Sequence, residues 1–317
     1  MIVTLTPNPS IDRTIAVDDL RRGEVHRATS SRIDPGGKGI NVSRALAAQG
    51  VPTLAVLPTG GPEGAVMGTL LDAAGVGHHD VPVAGTLRSN VTVVEPDGTT
   101  TKLNEPGPTL SRAEVDALVA ATLGATGGDG VAWVVASGSL PPGAPDDLYA
   151  VLVATASAQG ARVAIDSSGA PMRLAVAARP DLVKPNHEEL AELVGHELHT
   201  LGDVLDASSD LVAAGIGTVV VSLGGDGAVL VDADSAVHVR TRIPRKLSTV
   251  GAGDCTLAGT VAALASGASG EDALLSGCLW GSAAVTLPGS RVPTPEDLTG
   301  IPTELFRDPD RSLVISG

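Results

Sequence analysis

Aromatic side chains are nearly missing from this chain: Trp133, Trp280, Tyr149 and Phe306 are the whole set, 1% of 317 residues. The core must therefore be Ala, Val and Leu, and a stacking platform for nucleic-acid bases is not expected. Positive charge is also sparse. The 21 Lys and Arg face 36 Asp and Glu, a formal net charge of −15, and such a surface repels a phosphate backbone. No nucleic-acid partner is expected. A small anionic ligand is still compatible, because a few clustered cations and backbone N–H groups suffice locally. The two cysteines, Cys255 and Cys278, are no disulfide framework and fit a reducing compartment. Apolar runs of bilayer length are absent, and the opening "MIVTLTPNPS" carries no basic or apolar leader, so a cytoplasmic protein without membrane contact is expected.

What is present is a rhythm. Strand-like runs at 2–6, 53–57, 131–137, 162–166, 181–185 and 218–223 alternate with Ala/Leu-rich helical stretches at 40–50, 65–75, 112–124, 145–160 and 201–215. Several of the helical stretches end at glycine, a common stop signal. Strand and helix in alternation predict an α/β fold with a mostly parallel sheet and helices on both faces. Residues 11–33 and 88–105 break the rhythm with polar–apolar alternation, and "EPDGTT" is a turn signal between two strands. They are expected to form a small β lid on a single domain spanning 1–317.

In an open parallel sheet, ligands sit at the carboxyl ends of the strands. Unusual residues gather there: Asn8 and Asp12 after the first run, Ser137 to Ser139, Asp166, Asn186, and Gly224 to Gly227. Their convergence predicts the rim of an active site.

Two glycine-rich stretches stand out. "DPGGKGINVSRALAAQG" (34–50) leads into an amphipathic helix, where glycines admit a ligand to the backbone and a helix start favours anions. It is not a Walker A loop, since Arg32 stands where the first glycine belongs and Gly39 where the hydroxyl belongs. Taken alone it reads equally as a phosphate cradle or as a glycine-rich helix entry. "STVGAGDCTLAG" (248–259) fails the dinucleotide fingerprint because Thr256 replaces its third glycine. It reads better as backbone N–H donors at a helix start, an anion hole for a transferring phosphoryl group. Asp254 is expected to stay ionised beside that positive helix end. Alone, it reads as a helix cap.

Further candidates follow the same logic. In "VKPNHEEL" (183–190), Asn186 and Glu189 stand three apart and suit Mg²⁺ through water, or form a capping box. Lys38 and Arg88 are candidate phosphate clamps, one a point charge and the other a bidentate fork. Asp12 is placed to accept hydrogen bonds from sugar hydroxyls. His78, His79, His196 and His199 lack a third ligand at a familiar spacing and read as surface residues. Cys255 reads as a small buried filler.

Together these stretches resemble the PfkB (ribokinase-like) family of carbohydrate kinases. The specific blocks are Gly-Gly-Lys-Gly-x-Asn at 36–41 and Thr-Val-Gly-Ala-Gly-Asp at 249–254, and the likeness covers nearly the whole chain. "TPNPSIDRT", Arg88-x-Asn90, "NEPGP" and "SGSLPPG" resemble the 1-phosphofructokinase and tagatose-6-phosphate kinase branch. The resemblance implies ATP-dependent phosphorylation of fructose 1-phosphate, with tagatose 6-phosphate or fructose 6-phosphate as alternatives. It implies that Asp12, Gly37, Lys38, Asn41, Arg88, Asn90 and Ser139 hold the sugar phosphate. It places Lys184, Asn186, Ser222, Gly224 and Gly227 around ATP, with Glu189 organising Mg²⁺. Gly251, Ala252, Gly253 and Asp254 would carry the chemistry, Asp254 as the base. Cys255 stands where related kinases often have serine. A non-catalytic sugar-phosphate sensor is the rival of another class, and the failed glycine spacing disfavours a dehydrogenase. A homodimer paired through the lid edge is expected.

Overall fold

Alternation along the central strands sorts their side chains into two apolar layers. The computed structural model describes residues 1–126, 133–243 and 245–315. In it the strands are β1 (Ile2–Leu5), β2 (Ser10–Ala16), β3 (Ser30–Gly36), β4 (Thr53–Thr59), β5 (Gly77–Pro82), β6 (Arg88–Val94), β7 (Thr100–Asn104), β8 (Trp133–Ser137), β9 (Arg162–Asp166), β10 (Leu182–Val183), β11 (Thr218–Ser222), β12 (Ala228–Asp232), β13 (Ala236–Thr241) and β14 (Thr303–Phe306). The helices are α1 (Lys38–Ala48), α2 (Gly61–Ala73), α3 (Arg112–Thr126), α4 (Leu148–Ala158), α5 (Gly169–Ala177), α6 (His187–Val194), α7 (Leu201–Ala213), α8 (Ala252–Ala265) and α9 (Gly270–Val285).

Val3 and Leu5, Val134 and Ala136, Val163 and Ile165, and Val219 and Val221 enter one core, beneath α3, α4, α5 and α7. Ile2, Trp133, Val135, Ala164 and Val220 enter the other, beneath α1, α8 and α9. The near-absence of aromatics lets helices approach closely. A Cβ at Gly277 or Gly281 of α9 would collide with the hydroxyls of Thr260 and Thr256 on α8.

Ten strands form the main sheet in the order β14-β13-β12-β11-β10-β9-β8-β1-β4-β5. It is parallel from β11 to β5 and antiparallel through β12, β13 and β14. All the expected central strands are present, though residues 131 and 132 of the 131–137 run lie outside the described residues. The 181–185 run contracts to the two residues of β10, since Pro185 has no N–H for the ladder. The stretch 222–231, "SLGGDGAVLV", reads in isolation as a hairpin, and β11 and β12 form one; β13, β14 and the edge strand β5 were not anticipated and carry few local signals. The Gly224–Gly227 stretch joins β11 to β12 through one 3-10 turn.

The chain moves from β1 outward to β4 and β5, then crosses to β8 on the other side of β1. Strand order therefore reverses between β1 and β8, and a crevice opens at their carboxyl ends. A second sheet, ordered β3-β2-β6-β7, draws its strands from the two segments that break the α/β rhythm. Its register sets Asp12 opposite Asn90 and Ser10 opposite Arg88. Among the described residues no helix is long and apolar enough to cross a membrane.

Candidate active site

Two cavities flank the first turn of α6. The smaller, about 310 Å³, is lined by Gly37, Lys38, Arg88, Asn90, Ser139 and Glu189, with Thr6, Asn8 and Asn104 among its other walls. It sits at the β1/β8 switch, where Thr6 and Asn8 follow β1 and Gly138 and Ser139 follow β8. The larger, about 620 Å³, is lined by Asn186, Ser222, Gly224, Gly227, Lys246, Thr249, Ala252 and Gly253, among others.

The smaller cavity asks for a polar ligand. Thr6 Oγ1, Asn8 Oδ1, Arg88 Nε and Asn90 Oδ1 are buried without a hydrogen-bond partner, and all four residues stand on its wall. Each such atom costs about 1–3 kcal/mol unless a ligand satisfies it. Arg88 is held in place by donating to Asn8 O at 3.0 Å and Glu105 O at 3.2 Å. Asp12 stands behind this wall. Its Oδ1 accepts from Ser10 Oγ at 2.6 Å and Asn90 Nδ2 at 3.0 Å, and burial raises its proton affinity despite those bonds. A Cβ at Gly36 would overlap the Asp12 carboxylate, so glycine there leaves room for the Asp12 side chain to cross from β2 over the end of β3.

Lys38 begins α1, where Gly37 adopts φ 118° as its N-cap, a value that favours glycine. Lys38 Nζ donates to Asp166 Oδ1 at 2.6 Å and lies 3.6 Å from Glu189 Oε1. Lys184 Nζ lies 3.0 Å from Asp166 Oδ2. Burial works against the Lys38 charge, yet Asp166 and Glu189 carry its pKa well above the usual lysine range. Burial likewise pushes the Asp166 carboxyl upward, and Lys184 and Lys38 outweigh it, leaving the group below its ordinary value. Lys184, expected beside the nucleotide, is instead 3% exposed and lies under the glycine turn, 3.4 Å from where a Gly253 Cβ would stand.

The glycine turn opens α8. Gly251 is its N-cap at φ 78°, and first-turn N–H groups are left without helical partners. Ala252 N–H is used locally, donating to Thr249 O at 3.3 Å; Ala252 and Gly253 both line the larger cavity. Asp254 lies within the first turn, 7% exposed, and its Oδ2 accepts from Asn41 Nδ2 at 2.8 Å. Here the expectation of a low pKa fails. Burial, then the charge of Asp166, pushes the Asp254 carboxyl up to about 6, against the Asn41 bond and the two lysines. Desolvation outweighs the helix end. A carboxylate poised near neutrality can take a proton from an alcohol as a bond forms.

Asn186 caps α6, and the capping box is complete: Glu189 N donates to Asn186 Oδ1 at 2.7 Å, and Glu189 Oε2 accepts from Asn186 N at 2.9 Å. Glu189 Oε1 keeps only the 3.6 Å approach of Lys38. One free carboxylate oxygen beside a phosphate-sized cavity suits magnesium, which keeps several waters and takes substrate phosphates as ligands. Among the described residues no cluster of three acidic, histidine or cysteine side chains could hold a metal by itself.

The structure thus brings together five of the expected sugar-phosphate residues on one wall and four of the expected nucleotide residues on another. Asp12, Asn41, Lys184, Gly251 and Asp254 stand behind those walls. Sequence reasoning placed Asp166 on the rim without a role, because its two lysine partners are distant in sequence. Lys246 and Thr249 were also missed; only their nearness to the glycine turn could have drawn attention. His79, His196 and His199 are exposed, and His78 pairs with Asp80 and Asp72. Cys255 is buried, and burial pushes its thiol up to about 12, too high for a nucleophile.

Comparison with known proteins agrees with this geometry. The model of the pfkB family carbohydrate kinases matches residues 6–297. The chain is 44% identical over 269 residues to the 1-phosphofructokinase of Xanthomonas campestris pv. campestris, covering 83% of each chain. It is 38% identical to the 1-phosphofructokinase of Rhodobacter capsulatus, covering 95% of each. Among solved structures, phosphofructokinase-2 of Escherichia coli in complex with substrates and products superposes with a TM-score of 0.89 at 36% identity, covering 94% of this chain and 96% of that one.

Proposed function

We propose, from the premise that the chain belongs to the pfkB family of carbohydrate kinases, that it transfers the γ-phosphoryl group of ATP to fructose 1-phosphate, forming fructose 1,6-bisphosphate. The observation that carries the reading is the smaller cavity, where Lys38 and Arg88 stand among unsatisfied polar atoms while the chain as a whole is strongly acidic. Two cations in so negative a protein suit a substrate that already bears a phosphate. A free sugar would bring no anion to meet them. The relatives named 1-phosphofructokinase support the choice of sugar.

In this reading the sugar phosphate occupies the smaller cavity, with its phosphate between Lys38 and Arg88 and its hydroxyls toward Asn90, Asn8 and Ser139. ATP occupies the larger cavity along Ser222, Gly224 and Gly227. Asp254 orients the acceptor hydroxyl and takes its proton as the oxygen attacks the γ-phosphorus and the bond to the β-phosphate oxygen breaks. The N–H groups of the glycine turn stabilise charge spreading over the transferring group. Lys184, already locked by Asp166, offsets that charge without reorganising. Bound magnesium, held through water at Glu189, would neutralise the phosphates of ATP. The second sheet acts as a lid that excludes water from the transfer. Its outer strand β7 is exposed, with Leu103 at 63%, and a second copy of the chain pairs there.

The test is ADP release with Mg·ATP, comparing kcat/KM for fructose 1-phosphate, fructose 6-phosphate, tagatose 6-phosphate and free fructose. Preference for fructose 1-phosphate is expected. Preference for a 6-phosphate would keep the chemistry and replace the substrate, an outcome the likeness to phosphofructokinase-2 makes worth including. Binding without turnover would mark a sensor instead.

A further inference from the structure

We propose that Arg44 is a positioning residue for Asp254: it fixes the amide of Asn41 with its Nδ2 toward the aspartate, and it ties that arrangement to the lid through strand β3.

Three hydrogen bonds make the chain of contacts. Arg44 Nη1 donates to Asn41 Oδ1 at 3.2 Å and to Pro35 O at 3.2 Å, and Asn41 Nδ2 donates to Asp254 Oδ2 at 2.8 Å. Arg44 and Asn41 stand one turn apart on α1, on the same face. Pro35 lies in β3, paired with Ile11 of β2. Arg44 lines neither cavity, so substrate contact does not account for it.

An asparagine amide can point either way, and its two ends are opposite in character. A guanidinium only donates and an ionised carboxylate only accepts. With Arg44 at one end and Asp254 at the other, one orientation makes both bonds and the flipped one makes two repulsive contacts. Asn41 is 7% exposed, so water offers little compensation for a flipped amide. Arg44 therefore decides that the aspartate always meets a donor. The same guanidinium grips a carbonyl near the end of β3, so a shift of the lid at Pro35 reaches the base through two side chains, Arg44 and Asn41.

The groups around the relay are otherwise set. Asp34, Arg32, Asp12 and the Cys255 thiol surround Arg44; Asp166, Lys38 and Lys184 surround Asp254. Arg44→Lys keeps the positive charge that the groups around position 44 face. The inference rests on reading Asp254 as the base, and the experiment separates the two. Arg44→Lys and Arg44→Met are compared with the parent enzyme, each alone and in an Asn41→Ala background, by pH profiles of kcat/KM and by KM for ATP.

A parent enzyme that fails to turn over any of the sugar phosphates would overturn the reading of the site itself. With an active parent, Arg44→Lys keeps the charge, but its shorter side chain does not carry a donor to the place of Arg44 Nη1, from which both bonds leave. It is expected to lower kcat roughly tenfold and to move the acid limb of the profile up by about one pH unit, with KM for ATP unchanged. In the Asn41→Ala background the substitution at 44 should add little further loss, because the two act as one unit. An unshifted acid limb in Arg44→Lys, or losses that simply add in the double variant, would overturn the proposal. Arg44→Lys carries the test even where Arg44→Met does not fold.

Discussion

Asp166 Oδ1 lies 2.6 Å from Lys38 Nζ, and through this contact a carboxylate at the end of β9 holds the first residue of α1. The same carboxylate reaches Lys184 at 3.0 Å. One buried anion thus sets the position of two cations, one on the wall of the smaller cavity and one under the glycine turn.

Replacing it should be severe. Asp166→Asn leaves the buried Lys184 ammonium without its counter-charge and is expected to destabilise the fold by about 3–5 kcal/mol, read from urea unfolding at pH 7.5. Because the folded-state pKa of Asp166 is depressed, its contribution is complete above the ordinary carboxylate range and is lost as pH falls below that range and through the lower folded-state value. The difference between parent and variant should therefore shrink on acidification. Equal stability of the two at pH 7.5 would remove Asp166 from its structural role.

Asp254 runs the other way. Its pKa rises from an ordinary 3.8 to about 6 in the folded protein, so folding is favoured while both states hold the proton, and that advantage is lost as pH rises through 6. Above pH 6 the ionised, buried carboxylate destabilises the fold by up to about 3 kcal/mol. Asp254→Asn should therefore be the more stable protein at pH 7.5, with about half of the gain left at pH 5. Its kcat should fall by roughly 10²–10⁴. A variant both active and no more stable would refute the assignment of Asp254 as a buried base.

In the parent enzyme, kcat/KM should climb about tenfold per pH unit below 6 and level off above it, as the base loses its proton. A profile flat from pH 5 to 8 would mean that proton removal by Asp254 does not limit the reaction.

Arg88→Ala should raise KM for the sugar phosphate by roughly 10–100-fold, the worth of a charge-assisted hydrogen bond, and leave KM for ATP alone. Arg88→Lys should recover only part of this, since a point charge cannot fork across two oxygens. Parallel changes in both KM values would place Arg88 elsewhere than at the sugar phosphate.

Glu189 has a double position that one substitution can divide. Glu189→Gln keeps a capping-box side chain, so thermal unfolding should change by less than about 1 kcal/mol, while the magnesium concentration for half-maximal activity rises several-fold. An unchanged magnesium requirement would leave Glu189 as a helix cap alone.

Much of this architecture is legible before folding. Short continuous β-branched and apolar runs at 2–6, 162–166 and 218–223 mark strands buried on both faces, and Gly37 and Gly251 mark turns that only glycine enters easily. Such signals survive in one dimension because a strand's apolar run and a glycine's backbone freedom are properties of neighbouring residues. β13 and β14 are less visible because antiparallel pairing at a sheet edge is chosen by which partner lies alongside.

The site divides along the same line. The residue types at 36–41 and 249–254 were legible as a phosphoryl-transfer constellation through their resemblance to the pfkB family, though each alone read as well as a helix entry or a cap. The state of that chemistry was not. The sequence-based expectation for Asp254 counted the helix end beside it and so favoured a low pKa. The folded protein buries the carboxyl and places Asp166 near it, and the balance reverses. Burial and Coulomb energy depend on distance in space, and the charge that joins burial in raising Asp254 belongs to Asp166, on a different element of the chain. Chain order marked which groups to expect around the cavities; only the tertiary structure decided which of them carry a proton or a charge there.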